Sequence, residues 1–263
     1  MPSREIIAEM RALANPANLE GMARFGIDTT AALGLNVPQI RAIARRAGRS
    51  QTLAEELWAS GIHEARWLAS LVADPQTITP STMDRWTRDF DSWDVCDACC
   101  CNLFDRTPHA WAKIPGWAAD KREYVRRAAF STIAALAVHD KTAPDRVFLD
   151  ALPLIEKYAF DDRNFVRKAV NWALRGIGKR NARLLPAAIA CAERIQEQGF
   201  KSARWIASDA LRELRPKLEM LEFGIPSRLQ PCKTPSHVGS PKSIPRSTTS
   251  SSRKRAGRTV KSN

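Results

Sequence analysis

The sequence predicts an all-α fold built from stacked helix pairs, a superhelix or α-solenoid. Three observations point to it. Apolar residues recur at 3.6-residue spacing and period-2 alternation is missing. Four helical segments align on an arginine: Ala65-Arg66-Trp67, Val125-Arg126-Arg127, Val166-Arg167-Lys168 and Ala203-Arg204-Trp205. The last three arginines lie 41 and 37 residues apart, the spacing of HEAT or armadillo-like repeats. The gap from Arg66 to Arg126 is 60 residues, room for an extra helix that would contain Trp93 to Phe104.

Punctuation between helices supports paired elements. Asp74-Pro75, Thr79-Pro80, Thr107-Pro108, Ala143-Pro144 and Arg215-Pro216 mark helix starts or ends. Thr79-Pro80 reads as a cap followed by proline at the first helical position, and Ser92 or Asp91 as the cap of the Trp93 helix. Stacked pairs curve into an extended concave face, a shape that suits a rod-like ligand such as duplex DNA.

Charge divides the chain in two. Of 263 residues, 225–263 carry nine Lys/Arg and no Asp/Glu, so a net charge of +13 shrinks to +4 over residues 1–224. The 225–263 segment is rich in Pro and Ser and poor in apolar residues, the composition of a disordered basic tail. Residues 1–224 are expected to form the folded domain. No run of about 18 apolar residues suggests a membrane span, and the first ten residues lack a secretory apolar region. A cytoplasmic protein is expected. Cys96, Cys99, Cys100 and Cys101 crowd one segment; successive helical residues diverge too far to converge on one tetrahedral ion, so no metal and no cofactor are expected. Cys96, Cys99 and Cys100 read as small core residues.

Three helices carry candidate chemistry. In Phe165–Lys179 the apolar stripe is Val166, Val170, Ala173 and Ile177, and the opposite ridge is Lys168, Trp172, Arg175 and Lys179. A tryptophan among cations on the solvent side suits contact with a phosphate backbone, or packing against a neighbouring element. In Glu123–Val138, Val125, Ala129, Ile133 and Leu136 form the apolar face. Arg127 points away from it beside Ser131 and Ala134, which would leave its guanidinium open to a phosphate. Arg126, nearer the apolar edge, reads as structural. In the third helix Trp93 and Asp97 are neighbours at i and i+4, an indole beside a carboxylate; Asp94 is the carboxylate of the first turn.

The segments Ser92-Trp93-Asp94-Val95-Cys96-Asp97, Val125-Arg126-Arg127-Ala128-Ala129 and Phe165 to Arg175 resemble, in content and order, the AlkD-like DNA glycosylases of the DNA alkylation repair family. The resemblance spans roughly residues 5–215. It implies a HEAT-like superhelix and hydrolysis of the N-glycosidic bond of N3- or N7-alkylated purines in duplex DNA, with the base left stacked. It assigns Trp93, Asp97 and Trp172 to the catalytic cluster, Arg127 to the DNA backbone and Arg175 to a further DNA contact. Lys168 and Lys179 extend the basic ridge. Phe25 stands where this type tends to carry tyrosine, and the segment through Val37-Pro38 differs in length. The expected partner is duplex DNA carrying alkylated bases, bound by a monomer. The alternatives are a non-catalytic HEAT-repeat protein that binds damaged or branched DNA, and a protein-interaction scaffold.

Overall fold

The computed structural model describes residues 1–222, and within them it is entirely helical. The helices are α1 (Ser3–Ala12), α2 (Leu19–Arg24), α3 (Val37–Ala47), α4 (Gln51–Ala59), α5 (His63–Val72), α6 (Pro80–Arg88), α7 (Trp93–Asn102), α8 (Ala110–Ala119), α9 (Glu123–His139), α10 (Asp145–Lys157), α11 (Asn164–Arg180), α12 (Leu184–Glu197) and α13 (Lys201–Glu222). Single 3-10 turns cover Pro16–Asn18 and Phe104–Arg106. The tail expected at 225–263 lies outside the described residues.

Helices begin where the chain can satisfy its free amides. Asn36 and Gln39 form a reciprocal capping box ahead of α3. Ser50 accepts from the Leu53 amide, and Thr79 from that of Thr82 with Pro80 at the helix start. Ser92 departs from its expected role. It occupies the N-cap position of α7, but its hydroxyl accepts from the Asp28 amide (3.2 Å) and donates to Asp91 (3.1 Å). It ties the 25–28 loop to the helix instead of capping it.

Alternate helices pack side by side as one layer: α3, α5, α7, α9, α11 and α13. The even-numbered helices lie behind, α8 on α9 and α12 on both α11 and α13. The arginine-aligned segments are the first turns of α5, α9, α11 and α13. In α7 the same register places Val95 and Cys96, so the 60-residue gap holds one further helix pair. The third residue of each of these five helices, Ala65, Val95, Val125, Val166 and Ala203, is buried. Layer helices run parallel: Phe165 and Gly176 of α11 meet Arg127 and Ala134 of α9 in the same order along the chain. Gly178 lets α11 approach α13, since a Cβ there would fall 2.8 Å from the Leu214 side chain.

The fourth-position arginines act as clasps between repeats. Arg66 reaches Asp91 (3.1 Å) and the Asp89 carbonyl (3.2 Å) ahead of α7, over the Trp58 ring. Arg126 reaches Asp161 (2.5 Å) ahead of α11 and the Ala118 carbonyl, over the Tyr158 ring. Burial works to raise the Asp161 pKa, but its bonds with Arg163 and Arg126 hold it below the usual carboxylate range.

Candidate nucleic-acid interface

The layer register brings three helices together at their first turns. Asp97 of α7 faces Arg127 of α9 in a two-pronged ion pair, Nε to Oδ1 at 2.9 Å and Nη2 to Oδ2 at 2.7 Å. Ser131, one turn beyond Arg127, donates to Asp97 Oδ1 (2.8 Å). The remaining Arg127 nitrogen donates to the Phe165 carbonyl at the start of α11 (2.6 Å). The guanidinium carbon lies 6.0 Å from both the Trp93 and Phe165 ring centroids. Trp93 Nε1 donates to the Phe25 carbonyl (2.9 Å), which docks the 25–28 loop on the site. Gly26, at φ +74°, allows this, because a Cβ there would sit 2.8 Å from the Phe165 ring.

This geometry corrects the expected role of Arg127. Its side chain is only 7% exposed and every prong is used, so it offers no open fork to a phosphate. The helical wheel put Arg127 on the outward face of its own helix correctly, but α7 and α11 flank that face and enclose it. Burial works to lower the guanidinium pKa; the charge and bonds of Asp97 outweigh it and raise it further. Arg127 is therefore a permanent cation that fixes Asp97. The Asp97 side chain keeps 19% exposure, more than its arginine partner.

The other ridge residues divide. Lys168 is exposed and unpaired among the described residues. Trp172 is half-buried, and the 41-residue register sets it on α11 level with Ser131, one helix over from the residue that bonds Asp97. Among the described residues no hydrogen bond or ring contact links Trp172 to Asp97 or Arg127. Arg175 and Lys179 turn toward α13: Arg175 pairs with Asp209 (3.0 Å) and Glu213, and Lys179 with Glu213 (2.9 Å). Both residues of the expected DNA-binding ridge are thus paired with acids of α13 and stay partly exposed. Asp94, in the first turn of α7, accepts from no cation of the ridge; it pairs with buried His63 (2.8 Å).

Sequence reasoning missed Ser131 as a partner of Asp97, though its i+4 spacing from Arg127 already placed the two on one face. It also missed the Phe25 carbonyl and the Phe165 ring, which no local pattern marks. The cysteines Cys96, Cys99 and Cys100 are buried, and burial pushes the Cys96 and Cys99 thiols well above their usual range. Among the described residues no group of three or more His, Cys, Asp or Glu side chains is placed to hold a metal.

A protein-family model described as DNA alkylation repair enzyme matches residues 6–214. A solved structure superposes with a TM-score of 0.68 at 19% identity, covering 81% of this chain and 96% of the other. It is described as belonging to a new family of proteins related to the HEAT-like repeat DNA glycosylases with affinity for branched DNA structures. Comparison with curated protein sequences gives no significant match.

Proposed function

The chain belongs to the DNA alkylation repair enzyme family, and from that premise we propose that it is a monofunctional N-glycosylase that releases N3- or N7-alkylated purines from duplex DNA. The observation that carries this reading is the Asp97 carboxylate, one turn along α7 from Trp93, clamped by Arg127 and Ser131 while its side chain stays partly exposed. An N3- or N7-alkylated purine is already cationic, so it leaves with the bonding pair of the C1′–N bond and needs little acid assistance. The developing charge is on the sugar, and a fixed carboxylate stabilises it without reorganising. Asp97 faces that cation and orients the water that attacks C1′; the water's proton is lost to solvent. Trp93 and Trp172 pack against deoxyribose and backbone and hold the lesion strand. Lys168 holds a phosphate. Arg127 acts through Asp97, as a positioning residue.

Incubation of the full chain with methylated duplex tests this directly. Free N7-methylguanine or N3-methyladenine should appear and accumulate over several turnovers. A second reading has its own support: Arg127 compensates much of the Asp97 charge, which suits a protein that binds damaged or branched DNA without cleaving it. Salt-sensitive binding to a branched duplex with no base released would favour that reading over the first.

A further inference from the structure

The clasp arginines differ in one respect. Arg66 and Arg126 each end on a carboxylate, Asp91 and Asp161. Arg167 occupies the same fourth position in α11, but the loop ahead of α13, Gln198-Gly199-Phe200, contains no acid. Its guanidinium lies over the Trp205 ring of α13, 4.8 Å from the centroid. Its Nε is buried without a hydrogen-bond partner, and its one bond is to Asn164 (3.3 Å). Trp205 is 37% exposed, unusual for an indole in the first turns of a packed helix.

The surrounding charge points one way. Lys168 is adjacent in register on α11, and Arg204 on α13 bonds only the Gly199 carbonyl. The nearest acids of α13, Asp209 and Glu213, are already paired with Arg175, Lys179 and Arg212. An exposed indole under an uncompensated guanidinium, with further cations beside it, is complementary to an anionic backbone whose deoxyribose groups offer apolar contact.

We infer that Trp205 and Arg167 form a second DNA contact, gripping the sugar-phosphate backbone on one side of the nucleotide held at Asp97. This rests on the chain being a DNA-binding protein as proposed above. Two helix spacings separate the α7–α9 seam at Asp97 from the α11–α13 seam at Trp205; at about 8–10 Å each and about 3.4 Å per nucleotide, the contact falls roughly five or six nucleotides away. It therefore sets how much duplex the protein needs, and on which side.

The test uses fluorescence anisotropy with the full chain and a 21-base-pair duplex, about ten pairs on either side of one abasic-site analogue, alongside versions trimmed to about three pairs on one side or the other. Wild type should weaken about fivefold when one particular arm is trimmed, and little for the other. Trp205→Ala should weaken binding to the untrimmed duplex by a similar factor and lose nothing further on trimming; Trp205→Phe should restore most of it. Arg167→Gln should behave as Trp205→Ala with a shallower salt dependence. Unchanged affinity of Trp205→Ala for the untrimmed duplex, or additive losses from trimming and mutation, would overturn the inference while leaving the glycosylase reading standing. Failure of the wild type to bind any of these duplexes at low salt would overturn both.

Discussion

Two neighbouring parts of one helical layer use the same repeat position in opposite ways. At the fifth residue of α7 and α9, Asp97 and Arg127 meet, and the charge of each is spent on the other. At the fifth residue of α11 and α13, Lys168 and Trp205 face outward with no acid between them. The backbone register is shared, so the difference lies in which residue the adjacent helix presents. The first pair forms a rigid, nearly closed anchor for one carboxylate. The second leaves positive charge uncompensated at the surface. Chemistry and grip are thereby separated by one or two helices.

That contrast has measurable consequences. Arg127→Ala should be the most damaging single change, because it removes the buried cation that holds Asp97 and the Phe165 carbonyl. A loss of about 3–5 kcal/mol is expected, read as a fall in the denaturant midpoint; a loss below 1 kcal/mol would mean the anchor is not rigid. Ser131→Ala removes one of the hydrogen bonds to Asp97 and should cost about 1–2 kcal/mol, with base release reduced more than binding. Lys168→Ala should leave stability within about 0.5 kcal/mol and lower the slope of log affinity against log salt by about one. A stability loss as large as that of Ser131→Ala would erase the distinction between the two regions.

The smallest effect concerns pH. Burial works to lower the His63 pKa, but the hydrogen bond and charge of Asp94 outweigh it and raise it above 6.5. Since the folded state binds this proton more tightly than the unfolded chain, the contribution is fully present below the unfolded value of 6.5. It is lost as pH rises through the raised folded value. Urea titrations across pH 5.5–8 (about the range where histidine titrates) should show that decline, and His63→Gln should flatten it.

Much of the architecture is legible in the sequence. The 3.6-residue periodicity marks the apolar stripes of α9 and α11 to within a residue at each end, because one buried face dictates the spacing. The repeat arginines were legible for the same reason: each sits beside a buried third residue. The site was only partly so. A wheel drawn for α9 shows which way Arg127 leaves its helix, not what the neighbouring helix puts there. The Asp97–Arg127 pair joins residues 30 positions apart, and Arg175 and Lys179 are claimed by acids on α13. Trp93 and Asp97 are neighbours on one turn of α7, yet the partners that define Asp97 are Arg127 and Ser131 of α9. Charge satisfaction across repeats is a tertiary property, and no local pattern encodes it.

The central claim is that the Asp97 carboxylate stabilises a cationic sugar during base release. Single-turnover release of N7-methylguanine by saturating enzyme, wild type against Asp97→Asn, isolates that step from binding. Asp97→Asn keeps the shape of the side chain and should bind the same duplex within a few-fold, while its release rate falls by about a hundredfold or more. Equal release rates for the two proteins would contradict the claim.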